Sequence, residues 1–130
     1  MASPGGVLVC VTRQISCERL IRQGAELARQ INCPLNIVHV AGTGASLLGN
    51  PSESEAMEYL FTIAKQHGAD LNVLRSDNVL ETLTRLAREF KASHIVMGES
   101  RQSIKEDESI IWRLRAAMPD VQVTVVSSYE

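Results

Sequence analysis

The feature that most constrains this chain is a repeated change of hydrophobic period along it. Short β-branched runs alternate with longer segments whose apolar residues recur every three to four positions. The first run, Val7-Leu8-Val9-Cys10-Val11, is apolar throughout, the pattern of a strand covered on both faces. Ser16 then offers a helix N-cap, and Leu20, Gly24, Leu27, Ala28 and Ile31 fall on one helical face until Asn32 and Cys33-Pro34 break the pattern. Leu35 to Val40 reads as a second strand. The Gly/Ser-rich stretch from Ala41 to Pro51 reads as a loop with no element of its own.

The alternation continues to the end of the chain. Ser52 and Glu55 form a capping box ahead of Met57, Leu60, Phe61 and Ala64, and Gly68 closes that helix. Ala69 to Leu74 is a third strand. Asn78 pairs with Glu81 as the next cap, before Val79, Leu83, Leu86, Ala87 and Phe90. Ser93 to Met97 is a fourth strand, followed by a polar loop from Glu99 to about Glu108, in which Lys105-Glu106-Asp107-Glu108 reads as solvated. Ile110, Ile111, Leu114, Ala117 and Met118 make a last helix that Pro119 stops, and Val121, Val123, Val125 and Val126 a last strand. Strands alternating with helices predict an α/β fold: one open, mostly parallel five-stranded sheet flanked by four helices, with right-handed crossovers. The strand order is 2-1-3-4-5 or 3-2-1-4-5. Residues 1–6 read as a disordered lead-in and 7–128 as one domain.

Composition narrows the function classes. Hydrophobic residues make up 45% and charged residues 22%, normal for a packed domain, and the net charge of -2 offers no nucleic-acid footprint. No apolar run approaches the ~20 residues of a membrane-spanning helix, and MASPGG lacks the basic and apolar regions of a secretory signal. Cys10, Cys17 and Cys33 are an odd number without CxxC spacing, which points to a reducing, cytoplasmic setting rather than a disulfide framework. Cys17, near a helix start, is the one thiol whose pKa the helix dipole could lower, although an incidental, partly buried thiol is the simpler reading. His39, His67 and His94 are scattered, and His39 and His94 read as half-buried strand residues. No HExxH, GxSxG or GxxxxGK[ST] motif occurs, so neither a metal site nor a hydrolytic centre is expected.

In open α/β sheets ligands sit beyond the carboxyl ends of the strands, where the strand order reverses. The expected crevice lies between the ends of strands one and four. Its walls are Thr12, Arg13 and Gln14 on one side and Gly98 to Ser103 on the other, with Val40 and Ala41 as a third edge. Backbone N–H groups at helix starts near Ser16 and Ser109 face an anion there. Within Gly98-Glu99-Ser100-Arg101-Gln102-Ser103, the glycine admits close backbone approach, Ser100 and Ser103 donate hydrogen bonds, and Arg101 pairs with phosphate.

Val7 to Val11, the segment Ser16-Cys17-Glu18-Arg19-Leu20-Ile21-Arg22 and the stretch Ile95-Val96-Met97-Gly98-Glu99-Ser100-Arg101 together resemble the universal stress protein family. The variety is that found inside bacterial potassium-sensor histidine kinases, which the tail from Ser109 to Val126 also fits. The resemblance implies strand order 3-2-1-4-5 and a stress or signalling module. It also implies a homodimer formed through the valine-rich last strand, which is a sheet edge. Nucleotide-binding members carry an acid at the end of strand one and a G-x2-G-x9-G-[ST] motif after strand four. Here Thr12 stands for the acid, Gly98 for the first glycine, Arg101 for the second, and Glu108-Ser109 for the final pair. A carboxylate at ~4 Å from a phosphate costs about 4 kcal/mol before screening at an effective dielectric of 20, so Glu108 opposes ATP, while Arg101 is itself an anion ligand. The kinase-embedded variety includes cyclic-dinucleotide sensors, which use serines after strand one and an aromatic pair in strand two. Thr12-Arg13-Gln14 and Leu35 to His39 hold those places here. The resulting expectation is a non-catalytic module that takes a small anionic ligand, with ATP binding and slow hydrolysis, or a sensor domain of a larger kinase, as the alternatives.

Overall fold

The computed structural model describes residues 5–11, 14–98 and 104–126. Five parallel strands, β1 (Val7–Val11), β2 (Leu35–Ala41), β3 (Asp70–Arg75), β4 (His94–Gly98) and β5 (Gln122–Val126), lie in the order β3-β2-β1-β4-β5. Four helices connect them: α1 (Gln14–Ile31), α2 (Glu53–Gln66), α3 (Val79–Glu89) and α4 (Ile104–Ala117). The order 3-2-1-4-5 is the one that the resemblance implied. Register follows β1, with Val9 opposite Ile37 on one side and Val96 on the other. The pairing reaches back to Gly6, whose carbonyl accepts from the Ser93 and His94 amides at 2.8 and 3.2 Å.

The period-2 alternation of β1 divides the core. Val7, Val9 and Val11 join Ile37 and Val96 under α1 and α2, packed against Leu20, Ile21, Leu60 and Ile63. Leu8 and Cys10 join Val38, Ile95 and Val123 under α3 and α4, packed against Leu83, Leu86, Ile111 and Leu114. Burying each such side chain stabilises by roughly 1.5–3 kcal/mol. Gly24 lets α1 lie close on the sheet, since a Cβ there would sit 2.2 Å from Cγ2 of Val9. Both capping pairs read from the sequence form. The Glu55 amide donates to Ser52 Oγ at 3.4 Å, and the Glu81 amide donates to Asn78 Oδ1 at 3.1 Å while Asn78 Nδ2 returns a bond to Glu81 Oε2 at 3.0 Å.

Three expectations are corrected. Helix α1 begins at Gln14, so Ser16 lies in its first turn rather than capping it. Helix α4 begins at Ile104, so Lys105-Glu106-Asp107-Glu108 is helical and not loop. A run of four charged residues carries no apolar period, which is why the sequence hides it, yet acids in a first turn suit the positive end of the helix dipole. The connection from β2 to α2 contains a 3-10 turn, Leu47–Gly49, that tucks Leu47 and Leu48 into the core at 5% and 3% exposure.

Candidate functional site

The strand order reverses between β1 and β4. From β1 the chain moves outward through β2 to β3, then returns to place β4 on the other side of β1. Val11 and Gly98 therefore end neighbouring strands at the carboxyl edge, with α1 starting beside them. This is where sequence reasoning placed the crevice. Gly98 is the last residue of β4, paired with Val126, and a Cβ on it would meet Cδ1 of Leu20 at 3.0 Å. Val40, half-buried, sits one residue short of the end of β2, opposite Leu74. Thr12, Arg13, Ser100, Arg101 and Ser103 lie outside the described residues. Ser109 is corrected: it is the sixth residue of α4, where an amide bonds within the helix and is not free to face an anion.

The third wall is better built than the sequence implied. His39, whose pattern reads as a half-buried strand residue, is 3% exposed and has two partners. The Leu48 amide donates to Nε2 at 2.9 Å, and Nδ1 lies 2.9 Å from the Val11 carbonyl. An amide can only donate and a carbonyl can only accept, so Nε2 is bare and Nδ1 carries the proton. Burial pulls the His39 pKa below its ordinary value, the Val11 bond opposes that shift, and the Arg75 charge adds to it. The ring is therefore neutral and ties the end of β1 to the turn after β2.

A second set of contacts holds the start of the same connection. Thr43 donates from its amide to Asp77 Oδ1 at 2.9 Å and from its hydroxyl to Oδ2 at 2.6 Å. These bonds hold the Asp77 carboxyl below the usual range. Arg75, at the end of β3, donates to the Gly42 and Ala45 carbonyls at 3.1 and 2.7 Å and pairs with Glu53 of α2. Thr43, Arg75 and Asp77 escaped the sequence reading because nothing in their spacing ties residues 34 positions apart. A strand ending in Arg followed by Ser-Asp-Asn was the available signal, and it reads first as a turn. Cys17, conversely, is no reactive thiol. It is fully buried, and burial pushes it up to about 12, overriding the helix dipole. Among the described residues no group of His, Cys, Asp and Glu side chains could hold a metal ion, and no helix is long and apolar enough to cross a membrane.

Residues 6–113 match the model of the universal stress protein family. The chain belongs to that family. Among curated relatives it is 28% identical over 125 residues to a KdpD-type sensor protein of Synechocystis sp., covering 94% of this chain and 33% of the relative. It is 32% identical over 98 residues to the sensor protein KdpD of Mycobacterium tuberculosis, covering 75% of this chain and 11% of that protein. The chain thus spans a third or less of the curated relatives it matches. A crystal structure of a universal stress protein in complex with cAMP superposes with a TM-score of 0.62 at 19% identity, covering 95% of this chain and 98% of the other.

Proposed function

We propose that this family member is a non-catalytic stress or signalling module that takes a small anionic ligand, of nucleotide type, in the crevice between the ends of β1 and β4. The observation that carries the reading is the strand reversal itself, which sets Val11 and Gly98 side by side at the edge where helix α1 begins. The solved relative holding cAMP supports the ligand class. Thr12, Arg13, Ser100, Arg101 and Ser103 are the polar groups assigned to it, with Val40 as the apolar wall. Similarity to KdpD proteins favours a role as the input module of a sensor protein. The chain works as a homodimer through β5. That strand ends the sheet, and its ladder to β4 uses Gln122, which turns the backbone groups of Val125 outward, while the outward Val123 carbonyl accepts from Arg115 at 3.2 Å.

Thermal unfolding with cAMP, and separately with ATP and magnesium, tests the ligand reading. A ligand at one hundred times its dissociation constant stabilises by about 2.7 kcal/mol, an easily read shift. A shift with cAMP alone supports the sensor reading, and a shift with ATP accompanied by phosphate release replaces it with the enzymatic one. No shift with either at millimolar concentration rejects a nucleotide. Sedimentation of the chain decides the dimer, and a monomer at high concentration removes it.

A further inference from the structure

We infer that His39 is an acid-operated latch that holds the 47–50 segment closed over the core beside the crevice and releases it on protonation. The inference goes beyond the proposed ligand and does not depend on it. Its geometry is a buried imidazole whose two nitrogens are both committed, Nδ1 to the Val11 carbonyl and Nε2 to the Leu48 amide. A second proton can enter the ring only at Nε2. That turns the acceptor into a donor facing another donor, so the Leu48 bond is lost while the Val11 bond is kept.

Once that bond goes, the segment is held by the burial of Leu47 and Leu48 and by the Ser52 amide bond to Asn50 Oδ1, against the strain of one residue. Leu48 is held at φ 56°, a left-handed backbone that a leucine side chain disfavours, and its amide bond to the imidazole is one of the contacts that keeps it there. The rest of the connection does not follow. Thr43 stays tied to Asp77, whose carboxyl is held below its ordinary value, and the Gly42 and Ala45 carbonyls stay tied to Arg75. Opening is thus confined to the part carrying Leu47 and Leu48, and it uncovers two buried leucines next to the end of β1.

The groups facing the ring leave it as the titrating element. β3 contributes Arg75, whose charge opposes protonation and which is itself paired with Glu53 of α2. Val11 on β1 and the β2 neighbours Val38 and Val40 carry no charge. The sign follows from burial. The latched ring has a pKa below the 6.5 of a free histidine, so the latch is whole above that value and is lost as pH falls from 6.5 toward the lowered one. One proton per opening raises the open-to-closed ratio by up to about tenfold for each pH unit in that range.

Amide exchange of the full chain at pH 7.5 and 5.5, each rate divided by its intrinsic value, tests this. The expected result is a Leu48 protection factor about tenfold lower at pH 5.5, with the Val9 and Ile95 amides unchanged. His39→Gln, which does not titrate, should show no such difference. Equal Leu48 protection at both pH values, or the same fall in His39→Gln, overturns the latch. Should that variant fail to fold, the imidazole nitrogen shifts of the wild-type chain decide. They must report a bare Nε2 at pH 7.5 and its protonation as Leu48 protection falls, and a His39 that stays neutral through the fall overturns the proposal.

Discussion

The two ends of the sheet make opposite use of similar materials. At the amino end a groove of about 470 Å³ runs between the last turns of α1 and α2, lined by Arg22, Arg29, His67 and Gln66. Its basic side chains make it look like an anion site. Yet α1 and α2 both end there, at Ile31 and Gln66, so the backbone presents carbonyls and the negative ends of two helix dipoles. Arg22 is also engaged by Glu18 at 3.1 Å. At the carboxyl end the described walls are strand ends, a helix start and a hydrogen-bonded loop. The comparison sets backbone polarity, decided by chain direction, against cavity size and side-chain charge as rival criteria for an anion site.

The largest expected effect breaks both ends together. Gly24→Leu drives a side chain into Val9 midway along α1, where the space for a Cβ is already gone. It should destabilise by roughly 1–3 kcal/mol or more in urea unfolding, and an unchanged midpoint would mean that α1 does not lie this close.

A sharper separation comes from nucleotide titrations of two variants. Gly98→Val, at the carboxyl end, should weaken any nucleotide by about tenfold or more, equivalent to about 1.4 kcal/mol. Arg29→Ala, at the amino end, should leave that affinity alone. The reverse pattern would move the site to the wide groove.

Smaller still is Asn78→Ala, which removes both arms of the α3 cap and should cost about 1 kcal/mol in denaturant unfolding without touching the amino end. The smallest effect concerns Asp77. Its carboxyl is held below the ordinary 3.8 by the two Thr43 bonds, so its contribution is present above that value and is lost as pH falls through the lowered one. A carboxyl titration by NMR should therefore place Asp77 below 3.8 in the wild-type chain and move it up in Thr43→Val. No movement would show that the loop start is held by Arg75 alone.

Much of the fold was legible because its determinants are local. The apolar run Val7 to Val11, the caps at Ser52 and Asn78 and the break at Cys33-Pro34 each act within a few residues, and the elements they imply all form. The start of α4 was not legible, because Lys105 to Glu108 has no apolar stripe to declare its period. Val40 and Gly98 could be placed from topology alone. His39, one residue before Val40, could not, since its role depends on a carbonyl 28 positions upstream and an amide nine positions downstream.

The sequence by itself determined an alternating α/β chain, its register of buried and exposed faces, and the edge of the sheet to which the proposed crevice is assigned. Periodicity, capping and chain direction are enough for that. Only the tertiary structure decided that the imidazole is a neutral bridge, that Asp77 and Arg75 hold Thr43, Gly42 and Ala45, and that Cys17 is inert. Each of these is a matter of which distant donor meets which acceptor and how little water reaches them, and neither is written in the spacing of residues along a strand.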